Sequence, residues 1–236
     1  GTQFVYSDIN FILLGEIVRT VSGKRIDEFA LENIYRPLGM PDTSYNPPKE
    51  KLPRVAPTQR YGDEVLHGVV HDPVARNMDG VAGHAGVFST SDDLGMYCAM
   101  LLHEGRYGRN LEKQLFKPET VRLMATIQSP EAVEDKRSLG WDVATGYSSP
   151  RGNVYPAGES FGHSGFTGTS MWILPKEGTF YVFLSNRVHP AGKGNVLGLQ
   201  RTFGTKIAEL NLLLLPDDLS KVDLTGFDRA ALREAR

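Results

Sequence analysis

Cysteine, long apolar runs and an excess of either charge are missing or nearly missing from this 236-residue sequence. Because Cys98 is the single cysteine, an internal disulfide is excluded and the redox compartment is left open. No stretch approaches the roughly 20 consecutive apolar residues of a membrane span, and the first residues lack the basic and then apolar pattern of a signal peptide. Since 26 Lys and Arg balance 28 Asp and Glu, we expect neither nucleic acid nor a membrane as a partner.

Hydrophobic residues make up 40% of the sequence, which is enough for a single domain over 1–236. Helical periodicity dominates before residue 139, and strand patterns follow it. The predicted helices are 8–21, 25–35, 94–102, 118–126 and 195–215. The predicted strands are 140–143, 160–168, 170–174 and 179–188, with a hairpin turn at 175–178 and a polar tail at 216–236. This order predicts an α+β fold, with a mainly helical region (1–138) and an antiparallel sheet with a closing helix (139–215).

A proline-rich stretch over 42–80 shows little periodicity, and we expect a long irregular loop of the kind that is often functional or lid-like. In and after it lie His67, His71, Asp72 and His84. Histidines four residues apart can share one face of a helix and hold a metal ion. The prolines and glycines around them argue against a regular helix, so we expect solvated loop histidines, with His84 packed in a glycine turn. The sequence predicts no metal site and no cofactor.

The segment 161–169 places His163, a hydroxyl and three glycines directly before a predicted strand. Glycines let a ligand approach the main chain closely and expose its N–H groups. A substrate-binding edge and an ordinary tight turn are both compatible with this pattern.

Four landmarks occur along the chain in a set order. They are Tyr6-Ser7-Asp8 before an apolar helix, a Pro-Leu-Gly-Met turn within 36–43, a glycine-rich turn within 82–90, and His163-Ser164-Gly165. Together they resemble the serine β-lactamase and penicillin-binding protein superfamily, in the class C-like form of β-lactamases, esterases and D-Ala-D-Ala peptidases. The resemblance implies acyl transfer to and from a serine, on a peptidoglycan peptide, a β-lactam or a small ester. It also implies a periplasmic or extracellular location.

The resemblance assigns the catalytic roles to Tyr6 and His163. Tyr6 would carry protons between the nucleophile and the leaving group, and His163 would line the pocket and hold the proton network of the tyrosine. Asp8 stands where many members of the superfamily carry asparagine, so a carboxylate there would contact the substrate or pair with the catalytic lysine.

The landmark His163-Ser164-Gly165 also implies the substrate-binding groups. Ser164 would bind a substrate carboxylate or carbonyl. Gly165 and Phe166 follow it, and the main-chain N–H of Phe166 would be one of two oxyanion donors.

The nucleophile of the superfamily is missing. It lies in a Ser-x-x-Lys segment, and no serine of this chain has a lysine three residues later. Because the tyrosine landmark begins at Tyr6, we expect that segment upstream, in a longer protein, as a partner of this chain. We expect the chain alone to be inactive.

Two alternatives stay open: a catalytically dead module of the same fold that binds cell-wall fragments or a protein, and an N-terminal-nucleophile hydrolase in which Thr2 is exposed after loss of Gly1.

Overall fold

The main sheet has five antiparallel strands, and it lies in the second half of the chain. A computed structural model describes residues 2–155 and 157–214, so the predicted tail at 216–236 and the last residue of the predicted closing helix fall outside it. The strands are β1 Lys136–Arg137, β2 Asp142–Ala144, β3 Phe161–Ser164, β4 Ser170–Leu174 and β5 Thr179–Phe183. Their spatial order is β5-β4-β3-β2-β1, which is the meander that the sequence predicts.

Except for one short helix in the stretch predicted to be irregular, the helices agree with the apolar periodicity of the sequence. They are α1 Asp8–Ser22, α2 Ile26–Ala30, α3 Arg36–Leu38, α4 Pro73–Asn77, α5 Ser91–Leu102, α6 Pro118–Ala125 and α7 Leu197–Leu214. A turn of π-helix, Leu31–Tyr35, joins α2 to α3, so the predicted helix 25–35 continues to Leu38. Gly39 ends it in the left-handed conformation (φ 70°), which is the usual role of glycine after a helix.

The proline-rich stretch 42–80 is more regular than the sequence predicts. It contains α4, a 3-10 helix at Lys49–Arg54 and a two-stranded hairpin of Arg60–Tyr61 with Glu64–Val65. A further short strand, Ser44–Tyr45, pairs with Val87–Phe88 and ties this stretch to the glycine-rich turn. The prediction of a long irregular loop is therefore wrong, because paired backbone segments hold this stretch in place.

Two predicted strands are shorter in the structure. The strand predicted over 160–168 ends at Ser164, because a tight turn begins there: the N–H of Gly165 donates to the carbonyl of Thr169 (2.7 Å). The strand predicted over 179–188 ends at Phe183, because the chain leaves the sheet and the Arg187 N–H donates to the carbonyl of Thr167 (2.9 Å). The first ending is a local turn, whereas the second depends on a contact between distant segments, which local patterns do not encode.

The sheet is covered by helices on both faces. On one face α3, α5 and α6 contribute to a buried cluster formed by Leu38, Met40, Cys98, Met100, Leu101, Val121, Trp141, Val143, Phe161 and Ile173. On the other face α7 covers a smaller cluster formed by Tyr155, Trp172, Leu174, Tyr181 and Ala208. Cys98 is fully buried, and burial raises the pKa of its thiol to about 12. In the part of the chain described, no helix is long and apolar enough to cross a bilayer.

Helix α1 lies largely on the surface, although its apolar spacing predicts a buried face. None of its residues is buried, and Ile9, Leu13, Ile17 and Val21, four residues apart along one side, are all more than half exposed. The outer edge of β5 is likewise unpaired among the described strands. The molecule therefore presents an apolar helix face and an open sheet edge.

Candidate active site

Tyr6 and His163 lie far apart in the sequence and meet in space. Tyr6 immediately precedes α1 and is 45% exposed. Its ring centroid lies 6.3 Å from that of His163 and 5.1 Å from that of Tyr147. The guanidinium carbon of Arg137 lies 5.6 Å from the Tyr6 ring centroid. The two residues predicted to be catalytic therefore share one site, together with a cation that the sequence did not single out.

The hydrogen bonds of His163 define its protonation state. Arg137 Nη2 donates to Nε2 of the imidazole (3.3 Å), and Nδ1 bonds to the Ser164 carbonyl (2.8 Å). Because a guanidinium only donates and a carbonyl only accepts, the ring is neutral, with its proton on Nδ1. Burial lowers the pKa of His163 and the charge of Arg137 lowers it further, against the opposing charge of Asp142. His163 is therefore neutral at neutral pH.

Arg137 is held in place by a buried carboxylate. Its Nη1 donates to Oδ1 of Asp142 (2.7 Å), which is fully buried and also accepts from the hydroxyl of Thr145 (2.8 Å). Arg137 ends β1 and Asp142 begins β2, so the turn between these strands presents the guanidinium to both Tyr6 and His163. Because this ion pair is buried on the sheet, the Arg137 guanidinium is held at the site.

The pKa of Tyr6 is raised above its ordinary value of 10.0. Burial is the largest cause and the charge of Asp8 is the next, while Arg137 acts in the opposite direction. Tyr6 is therefore a neutral phenol at neutral pH, able to donate a hydrogen bond and to accept one.

The turn after β3 presents an unused main-chain donor. The N–H of Phe166 has no acceptor among the described residues, and its side chain is 69% exposed. Arg187 holds this turn: Nε donates to the Phe166 carbonyl (2.5 Å), and the guanidinium lies over the Phe166 ring, 4.2 Å from its centroid. Ser164, the last residue of β3, lies directly before this turn.

The far side of the turn is anchored by a second segment. Ser185 Oγ and the buried Gln200 Nε2 both donate to the carbonyl of Gly168 (2.6 and 3.1 Å). Gly168 has φ 109°, and a Cβ there would lie 2.7 Å from Ser185 Oγ. The geometry of the donor turn is thus set by residues after β5 and on α7.

Comparisons with known proteins show the family of this chain. The chain is 36% identical to an Escherichia coli K12 protein named "Putative D-alanyl-D-alanine carboxypeptidase", over 80% of the chain and 46% of that protein. It is 35% identical to a Bacillus subtilis protein named N-acetylmuramyl-L-alanine amidase, over 80% of the chain and 45% of that protein. A family model described as Beta-lactamase matches residues 1–202.

The chain belongs to the β-lactamase family. It spans about half the length of these two relatives. Among solved structures, it resembles a β-lactamase from Mycobacterium bovis (TM-score 0.62, 20% identity, 89% of this chain and 65% of that one). It also resembles a penicillin-binding protein homologue from Caulobacter crescentus (TM-score 0.60, 19% identity, 84% and 56%). At such identities these structures bear on the fold alone, and they confirm the predicted α+β fold class.

Within this β-lactamase-family fold, a cavity of about 290 Å³ opens beside Tyr6, on the side of the N-terminal segment. It is lined by Gln3, Phe4, Val5, Tyr6, Ser7, Asn10, Phe11, Arg137, Ser138 and Gly140. His163, Ser164 and Phe166 are not in its lining. The cavity therefore shares Tyr6 and Arg137 with the candidate site and extends away from the donor turn.

The histidines weighed as a metal cluster do not form one group. His67 Nε2 bonds to the Val55 carbonyl (2.8 Å), and His71 Nε2 bonds to Oε1 of Gln59 (2.9 Å). His84 bonds to Asp72 instead, with its Nε2 3.0 Å from Oδ1. His84 is packed in the glycine turn as expected, but it pairs with a carboxylate that lies near Asp8.

Sequence reasoning missed Arg137, Tyr147 and Arg187. One signal was available: Asp142 stands between Trp141 and Val143 in a predicted strand, and a charged residue there requires a partner. No local pattern identified Arg187, whose contacts all cross from one segment to another.

Proposed function

We propose that this chain is part of a hydrolase of the β-lactamase and penicillin-binding protein type, which cleaves an amide or an ester through an acyl-serine. The observation that carries the proposal is the meeting of the Tyr6 phenol and the neutral His163 imidazole, with the unused N–H of Phe166 in the turn that follows the strand of His163. A proton carrier and an oxyanion donor are two of the groups that acyl transfer needs. A nucleophile with its base is the third.

In this proposal each residue has a separate role. Tyr6 transfers the proton between the serine and the leaving group. His163, fixed by Arg137, keeps the phenol oriented and supplies no charge of its own. The N–H of Phe166 binds the developing oxyanion, and Ser164 binds a carboxylate or carbonyl of the substrate. Asp8, in the first turn of α1, binds the substrate or the lysine that accompanies the nucleophile.

The nucleophile would come from a segment upstream of Tyr6 in a longer protein. Two surfaces support this. Ile9, Leu13, Ile17 and Val21 form an exposed apolar stripe on α1, and an exposed stripe of this kind normally contacts another element. The unpaired edge of β5 can accept a further strand. We therefore propose that the upstream segment covers α1 and extends the sheet.

The substrate class follows from the relatives, whose names designate hydrolases of amide bonds. We propose a peptide derived from peptidoglycan, hydrolysed outside the cytoplasm.

The test uses the longer protein, with the segment upstream of Gly1 restored, and a fluorescent fluorophosphonate or penicillin probe. We expect covalent labelling of the longer protein and none of this chain alone. The substitution Tyr6→Phe should lower the labelling rate by about 100-fold or more, because it removes the proton carrier. Tyr107→Phe, which changes a half-buried tyrosine outside the candidate site, is the control and should label normally. The proposal is wrong if the longer protein does not react with either probe.

A second candidate function is a binding module without turnover. The absence of a Ser-x-x-Lys segment from the sequence favours it for the isolated chain. Calorimetric titration of the longer protein with a soluble peptidoglycan fragment, followed by analysis of the fragment, distinguishes the two functions. A binding module binds the fragment and leaves it intact, whereas a hydrolase cleaves it.

A further inference from the structure

Asp8, Asp72 and His84 come from three separate segments and meet beside the candidate site. Asp8 lies in the first turn of α1, Asp72 caps the N-terminus of α4, and His84 lies in the glycine-rich turn. One oxygen of each carboxylate and one ring nitrogen of His84 lie within 4.8 Å of one another. None of these contacts is local in sequence, so the fold creates the cluster.

The histidine of this cluster is buried and incompletely bonded. The side chain of His84 is only 3% exposed. Its Nε2 lies 3.0 Å from Oδ1 of Asp72, while its Nδ1 is buried without any partner among the described residues. Nε2 is the nitrogen that faces Asp72, and a neutral imidazole can bind a metal ion through this atom in place of the hydrogen bond.

The two carboxylates are incompletely neutralised. Within the described residues no lysine or arginine pairs with Asp8 or Asp72, and His84 is the sole ion-pair partner of Asp72. Two negative groups this close repel each other. A cation bound between them would remove this repulsion.

The positions of the three groups are fixed by backbone packing. Gly83, next to His84, lies so close to α1 that a Cβ would be 1.9 Å from the Phe11 carbonyl oxygen. Asp72 is held because its Oδ1 accepts the Ala75 N–H (2.7 Å). The two carboxylates are thus held at helix starts and the histidine in a turn packed against α1, which is the preorganisation that a metal site requires.

We propose that Asp8, Asp72 and His84 bind a divalent transition metal ion, and that Zn²⁺ fits this ligand set best. Zinc accepts imidazole nitrogen together with carboxylate oxygen in a four-coordinate site. Three protein ligands leave one position for water, and Asp8 is exposed, so solvent reaches the site. The proposal concerns this chain alone and does not depend on the proposed hydrolase activity; in the longer protein, a lysine paired with Asp8 would compete with the metal ion for that carboxylate.

The test is calorimetric titration of the chelator-treated chain with ZnCl₂. We expect saturable binding of one equivalent. Asp8→Asn, Asp72→Asn and His84→Gln should each weaken binding by about 100-fold or more, since even partners outside the ligand set cost 10- to 100-fold when removed. The controls Asp63→Asn and His103→Gln change exposed side chains elsewhere and should bind as the parent chain does.

Because His84 is buried, His84→Gln could lower the stability of the fold, so thermal melts in chelator are recorded for every variant. Asp8→Asn changes an exposed residue and keeps the test valid if His84→Gln unfolds. The proposal is overturned if no saturable binding occurs. It is overturned equally if zinc binds the folded Asp8→Asn chain as tightly as the parent chain, in which case the His84–Asp72 pair serves only to hold the glycine turn.

Discussion

At the scale of single residues, the Arg137 guanidinium controls the charge of His163. Burial and Arg137 both lower the pKa of His163, while Asp142 raises it. Arg137→Gln removes one lowering influence and leaves the raising one, so we predict that the pKa of His163 rises. The measurement is an NMR titration of the imidazole Cε1–Hε1 signals. Arg122→Gln, which breaks an exposed ion pair with Glu104, is the control. A His163 pKa that is unchanged or lower in Arg137→Gln would contradict the prediction.

The same pKa shift has a consequence for stability. His163 is neutral in the folded chain at pH values where an unfolded histidine, with a pKa of about 6.5, takes up a proton. Its contribution to the free energy of unfolding is therefore complete above about pH 6.5 and is lost as the pH falls toward the folded pKa. Arg137→Gln should also lower the free energy of unfolding by about 3 kcal/mol, because it leaves Asp142 buried without a counter-charge.

The donor turn depends on Arg187 through two side-chain hydrogen bonds, to the carbonyls of Phe166 and Gly194. Losing such bonds costs roughly 1 kcal/mol each, so losing both corresponds to about a 30-fold change in local opening. We predict that amide hydrogen exchange of Gly165 and Gly168, whose N–H groups donate within this turn, accelerates about 30-fold in Arg187→Ala. Arg187→Lys should recover little, since one ammonium cannot replace the planar fork. Unchanged exchange in Arg187→Ala would mean that Ser185 and Gln200 suffice to hold the turn.

At the scale of elements, one close approach between backbones places the tyrosine landmark. A Cβ on Gly83 would lie 1.9 Å from the Phe11 carbonyl oxygen, and neither backbone can move without shifting α1. We predict that Gly83→Ala lowers the free energy of unfolding by about 3 kcal/mol, as measured by urea denaturation. Gly198→Ala is the matched control: it lies in α7 with open space around it. It should raise stability by about 0.5–1 kcal/mol. A neutral Gly83→Ala would show that α1 is loosely held.

The elements that the sequence predicts correctly are those with a long local period. Helices α1, α5 and α7 and strand β4 repeat their apolar residues often enough to be recognised, and the hairpin turn 175–178 has its own residue signature. Strand β1 has only two residues, Lys136–Arg137, and exists because it pairs with β2. The residues of the candidate site also divide into those recognised from local sequence and those that depend on tertiary contacts. Tyr6 and His163 are recognised from short motifs, whereas Arg137 and Arg187 act through tertiary contacts that no motif contains.

At the scale of the whole molecule, the apolar periodicity of α1 conflicts with its exposure. The spacing of Ile9, Leu13, Ile17 and Val21 is that of a buried face, yet Val21 is 82% exposed. An uncovered apolar stripe promotes self-association. We predict that the isolated chain self-associates and binds an apolar fluorescent dye, and that the double substitution Ile17→Lys and Val21→Lys abolishes both. Light scattering and dye fluorescence measure this.

The matched control for the stripe is Met96→Lys, which introduces the same charge at an exposed position of α5. It should leave association and dye binding unchanged, because Met96 lies outside the stripe. If the upstream segment covers α1, the longer protein should bind less dye than the isolated chain. The double lysine substitution should then lower the stability of the longer protein but not that of the isolated chain. A short chain that stays monomeric and binds no dye would remove the stripe as a docking surface, and with it the main structural support for an upstream partner.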